Sequence, residues 1–222
     1  MPMAGKGMLL TSMDIDAADE QDFNTWYDRE HIAERVAIDG FLEARRYVAI
    51  DAQPKYLSLY STGSFEALDS PAYRKALAGQ TAWSLQNIAR FRNMIRAVAR
   101  ITISRGQGRG AVLGIIRIRP VPQRATPLRN ALAARFAPDR HDGIISMHLL
   151  ESDPDLSKSL TDAPDQPNPG AGDWFILIDG TSRDAVAVII KSGFNSEGVG
   201  SDAQQISAGI YALMWDLAKS DL

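Results

Sequence analysis

The feature that most restricts the fold of this chain is that its pattern of strand and helix signals runs through twice. Gly40-Phe41 matches Gly143-Ile144 at an offset of 103 residues, and Tyr56-Leu57-Ser58-Leu59-Tyr60 matches Trp174-Phe175-Ile176-Leu177-Ile178 at an offset of 118. The difference, 15 residues, is extra loop between the second and third strands of the second half. In the first half, Gly7 to Met13 reads as a strand and Asp16 or Asp19 as the cap of a helix that Asp39-Gly40 ends. Strands follow over 41–50 and 55–62, then a helical turn over 64–70 and a helix opened by Pro71 and closed by Gly79. Trp83 to Phe91 reads as helical or irregular, and Met94 to Ser104 alternates as a strand. That order, β-α-β-β-α-β, is the ferredoxin-like unit.

After Arg105 to Gly110, a glycine-rich joint whose spacing and following strand are wrong for a dinucleotide loop, the pattern restarts. Strands are expected over 111–118, 144–151, 174–179 and 210–217, and helices over 127–136 and 183–192. Asp153 to Asp173, rich in Pro, Asp and Ser, is expected to be a mobile loop. The expected fold is therefore α+β: two tandem ferredoxin-like βαββαβ units, residues 1–105 and 106–222, packed as an intramolecular α/β barrel.

Chemistry concentrates in the first helix. Trp26 to Arg35 (WYDREHIAER) puts two aromatics, acids and one of the chain's three histidines within three turns. On a 3.6-residue period Phe23, Trp26, Tyr27, Glu30, Glu34 and Ala37 share a face, with His31 at its edge. The aromatic surface makes that the buried face, so Glu30 and Glu34 are expected inside, each costing several kcal/mol unless a cavity or a basic group meets it. In the next strand Arg46 lies on the mainly apolar side, where it needs an acid, while Arg45 and Tyr47 point into the space between the sheets. At the offset of 103, Trp26, Glu30, His31 and Glu34 fall on Arg129, Ala133, Ala134 and Ala137. The second copy thus lacks the polar set, which locates the site in the first half and leaves the second as lid, dimer mimic or scaffold.

Composition excludes several classes of function. The chain has no cysteine, so no disulfide, thiolate nucleophile or cysteine-held metal cluster. A net charge of -3 argues against nucleic acid and anionic membranes as partners. No apolar run approaches a bilayer span and no signal peptide is evident, so a cytoplasmic location is the default. His31 with Glu30 and Glu34 has ligand-type side chains, but no second cluster completes a metal site, because His141 and His148 lie in the other half. No metal or cofactor is expected.

With WYDREHIAER, GFLEARRY (40–47), PKYLSLY (54–60), SPAYRKAL (70–77) and FRNMIRAV (91–98) in view, the chain resembles the EthD-like members of the dimeric α/β-barrel superfamily. The resemblance is strongest over about the first hundred residues. It implies a small-molecule pocket between the sheet and the first helix, faced by His31 with Trp26 and Glu34 as neighbours. It also implies chemistry from a varied set: monooxygenase, isomerase, cyclase, dehydratase or lyase. The expected function is a cofactor-independent enzyme acting on a small aromatic or oxygenated organic molecule, the alternative a non-catalytic ligand-binding or stress-associated module. His31 would move a proton, Glu34 or Glu30 would orient it, and Arg46 would hold a carboxylate or enolate. Tyr27, Arg45, Tyr47, Tyr56, Tyr60 and Trp83 complete the expected substrate lining, and a homodimer is the expected assembly.

Overall fold

Strand pairing in the computed structural model closes one antiparallel barrel, in which each half contributes four neighbouring strands. The described residues are 3, 5–158, 170–194 and 200–222; the central part of the loop expected to be mobile, 159–169, lies outside them. The first half supplies β1 (Gly7–Asp14), β2 (Phe41–Asp51), β3 (Tyr56–Thr62) and β4 (Arg92–Gly106). The second supplies β5 (Val112–Pro120), β6 (Ile144–Ser152), β7 (Trp174–Gly180) and β8 (Ala203–Ala218). Around the barrel the order is β1-β3-β2-β8-β5-β7-β6-β4. Each half is thus a 4-1-3-2 ferredoxin-like sheet, and the two sheets join edge to edge at β2–β8 and β4–β6. The tandem-unit barrel expected from the repeat is the fold observed.

The glycines that mark the repeat have a physical reason. Gly40 and Gly143 take φ of 89° and 76°, a left-handed conformation that L side chains rarely adopt. Each then offers its carbonyl to the loop after the third strand of its unit: Gly63 N–H donates to Gly40 O and Thr181 N–H to Gly143 O, both at 2.8 Å. The seam strands are longer than alternation indicates. β8 runs from Ala203, not from Ile210, because its first half pairs with β5 while its second half pairs with β2. Gln204, Gln205 and Ser207 in that extension are at least partly exposed, so apolar alternation could not mark it.

Helices cover the outside. In the first half they are α1 (Glu20–Trp26), a π-helical turn (Tyr27–His31), α2 (Ile32–Ala37), α3 (Pro71–Ala78) and α4 (Ala82–Ile88). In the second they are α5 (Ala125–Arg135) and α6 (Arg183–Gly193). Three apolar clusters result. Met8, Leu10, Leu57, Leu59, Leu113, Phe175 and Leu177 fill the barrel interior. Phe23, Trp26, Tyr27, Tyr56 and Tyr60 pack between the first sheet and its helices, and Ile116, Leu128, Leu132, Ile176 and Val186 do the same in the second half. Among the described residues no helix is long and apolar enough to cross a membrane.

The π-helical turn overturns the expected inner face of the first helix. Ile32 N–H bonds back to Tyr27 O, five residues earlier, so one extra residue enters the turn. One residue is about 100° of rotation at 3.6 residues per turn. Beyond the turn the inward positions therefore move from 30 and 34 to 31 and 35. His31 and Arg35 are buried, Glu30 is half-buried and Glu34 is exposed. The expectation of two buried carboxylates is corrected accordingly.

Candidate functional site

Under the π-helical turn the sheet presents a polar row among apolar ones. Thr11 pairs with Arg96 on β4 and with Ser58 on β3, and Ser58 pairs with Arg46 on β2. The adjoining row is Val98, Leu9, Tyr60 and Ala44. Between this floor and the helices lies a cavity of about 90 Å³. His31 and Arg35 reach it from the helix; Thr11, Tyr60 and Arg96 reach it from the sheet; Tyr27, Tyr73, Gln80 and Phe91 are among its walls. A neighbouring groove of about 240 Å³ shares Tyr73, Leu77 and Arg96 with it.

His31 is 9% exposed and its ring is held by aromatic contacts. It tilts 34° over the Trp26 indole at 4.2 Å between centroids, with the Tyr27 ring edge-on at 5.0 Å. Burial first, then the positive charges of Arg35 and Arg46, hold its pKa well below 6.5. At neutral pH it is an uncharged imidazole, and its Nδ1 has no hydrogen-bond partner in the protein. Thr11 Oγ1 and Gln80 Oε1, on two other residues that line this cavity, likewise have no hydrogen-bond partner among the described residues, while the Tyr60 hydroxyl interacts with the Tyr27 and Ser58 hydroxyls. Burial pushes the Tyr60 phenol well above 10, so it stays protonated and able to donate.

The structure gathers only some of the expected residues here. His31, Tyr27 and Tyr60 line the cavity, while Trp26 lies behind His31 with its Nε1 donating to Ser84 Oγ at 3.1 Å. Glu30 accepts from Thr81 Oγ1 at 2.6 Å and from Ser84 Oγ at 3.3 Å, so it anchors α4 to the helix. Glu34 faces outward; burial of its carboxyl and the nearby Glu30 charge raise its pKa. Arg46 meets an acid as expected, but the acid is Asp28, at 2.7 Å, with Asn24 Oδ1 at 2.5 Å and the Tyr27 ring 4.3 Å from its guanidinium. Tyr56 donates to Glu20 at 2.8 Å and Trp83 to Asp22 at 3.1 Å, both away from the cavity. Arg45 and Tyr47 lie inside the barrel, as their alternation indicates, where Arg45 holds Glu43 at 2.7 Å and lies 3.8 Å from Asp179.

Arg35, Thr11, Tyr73, Gln80 and Arg96 line the cavity without having been singled out from the sequence. Thr11 and Arg96 carried a signal, since they are polar residues on strand faces otherwise occupied by Leu9, Met13 and Val98. Arg35 carried none, because only the π-helical turn brings it inward. Among the described residues no group of three or more His, Asp or Glu side chains could hold a metal ion.

This arrangement defines a class: a closed antiparallel barrel of two ferredoxin-like α/β units in one chain, with a small cavity under its first helix. The chain matches no model of a known protein family and no curated protein. Solved structures share its fold. An anthrone oxidase-like protein superposes with a TM-score of 0.71 at 12% identity, over 99% of this chain and 96% of that one. A proposed monooxygenase from Fusobacterium nucleatum gives 0.55 at 9% identity, over 95% and 92%. A haem-binding protein from Thermus thermophilus gives 0.51 at 7% identity, over 96% and 92%.

Proposed function

We propose that the chain is an EthD-like enzyme that acts, without a cofactor, on a small aromatic or oxygenated organic molecule in the first-half cavity. One observation carries this reading: His31, Thr11 and Gln80, each with a buried polar atom that has no partner among the described residues, line a single cavity walled by aromatic rings. Buried polar groups are normally paired, and sites that leave several unpaired together are built for a ligand that pairs them. The neutral His31 imidazole, fixed against Trp26, is the group suited to take a proton from a bound molecule, and the protonated Tyr60 is suited to donate to an oxygen on it. Orientation of His31 falls to Trp26 and Tyr27, since Glu30 and Glu34 are turned to other duties.

A second reading, a binding module without turnover, is favoured by the absence of any carboxylate against His31 among the described residues. The two are separated by identifying a co-purifying molecule with native mass spectrometry and assaying His31→Ala on it. An enzyme loses about 10²–10⁴-fold in turnover with the fold intact, as general acid–base groups typically contribute. If the molecule is bound but not turned over by wild type, or if His31→Ala leaves turnover unchanged, the enzymatic reading falls.

A further inference from the structure

We propose that this cavity takes a small organic anion, a carboxylate or an ionised enol or phenol, held between Arg35 of the helix and Arg96 of the sheet. The inference rests on the reading of the cavity as a ligand site and adds the charge of what binds there. Four arginines of the described chain are buried: Arg35, Arg45, Arg46 and Arg96. Arg45 is paired with Glu43 and Arg46 with Asp28, and neither lines the cavity. The two that do line it have no carboxylate in ion-pair distance among the described residues. Arg35, 6% exposed, makes no ion pair and no hydrogen bond with any described residue, and interacts with the exposed Glu34 only through space. Arg96, 8% exposed, is held by the carbonyls of Leu156 and Lys158 and by the Tyr73 hydroxyl, and has no carboxylate partner among the described residues.

Two acids beside the cavity already have other partners. Asp69 and Asp155, on the adjoining groove, pair with Arg74 and Lys158. A guanidinium keeps its proton at any physiological pH, so a buried one without a counter-ion favours an anion brought from outside. The uncharged His31 adds no competing cation, and the Tyr60 and Thr11 hydroxyls supply further donors to an anionic oxygen. Arg46, expected from the sequence to hold such a group, is occupied by Asp28 and Asn24.

The test compares propionate with propionamide, which match in size and differ in charge, on the full chain. Binding is followed through the His31 imidazole resonances, assigned among the chain's three histidines by their loss in His31→Ala. Propionate should bind at least about tenfold more tightly than propionamide, the scale of one charge-assisted hydrogen bond. Arg35→Gln should cut the preference for propionate over propionamide severalfold, with Arg96 retaining the remainder; an unchanged preference would overturn the part assigned to Arg35. Arg35→Lys, which keeps the charge and serves if the glutamine variant fails to fold, should retain part of the preference. Equal binding of the two probes, with His31 shifted by both, overturns the anion and leaves the cavity as a site. If neither probe moves His31 at tens of millimolar, the site reading falls as well.

Discussion

At the scale of single residues, the decisive contact is between charge and imidazole. His31 is depressed chiefly by burial and secondarily by Arg35 and Arg46, so the causes can be separated by removing one of them. Arg35→Met takes away a positive charge and keeps the burial. We expect the His31 pKa to rise in that variant yet remain below 6.5, measured by its imidazole ¹⁵N shifts across pH. A wild-type His31 titrating near 6.5 would contradict its placement under the helix. The sequence made His31 visible as one of three histidines, at the edge of an aromatic helix face, and Tyr60 as an aromatic of the third strand. It hid Arg35, because a residue next to Glu34 in a charged helix looks like part of a solvated face.

At the scale of elements, the π-helical turn explains both what was legible and what was not. Hydrophobic periodicity places Phe23, Trp26 and Tyr27 correctly, since they precede the inserted residue. The same wheel continued past Tyr27 is wrong by one position, and composition gives no sign of where an extra residue enters. If the turn is a one-residue insertion, deleting an exposed residue within it should restore a regular α-helix without disturbing either flank. Arg29 is the suitable choice, being exposed, whereas Asp28 holds Arg46 and Trp215. The deletion should fold with a Tm within a few degrees of wild type and keep the His31 signals those of a buried, neutral ring. Signals typical of an exposed imidazole would mean that the turn itself directs His31 inward.

At the scale of the whole molecule, the halves are joined not only along two strand seams but also by a polar network inside the barrel. Glu43 accepts from Arg45 and Arg109, the latter also pairing with Asp216 near the joint. Across the barrel, Asp179 accepts from the Gly110 backbone at 3.2 Å and from Ser146 Oγ at 3.3 Å, and His148 lies between Ser146 and Ser104 at 2.9 and 2.8 Å. The repeat made the barrel legible from sequence, because glycines and strand cores recur at fixed offsets. The network was not legible, because its members come from β2, β4, β6, β7, β8 and the joint, and only closure brings them together.

This network gives the molecule a pH dependence whose sign can be worked out. His148 is wholly buried, and burial followed by the Arg45 charge lowers its pKa from 6.5 to about 3. Between those values the unfolded chain binds a proton that the folded chain does not, so stability is full above pH 6.5 and falls as pH is lowered towards 3. At about 1.4 kcal/mol per unit, the loss from this group is roughly 3–5 kcal/mol. The depressed His31 adds a loss of the same sign. Asp179 acts the other way: burial raises its pKa, so between 3.8 and that raised value the folded state binds the extra proton and gains stability as pH falls. Denaturant titrations at pH 7 and pH 5 should show wild type less stable at pH 5. His148→Gln should narrow that difference and Asp179→Asn should widen it. Parallel pH profiles for wild type and His148→Gln would mean that His148 is not held neutral inside the barrel.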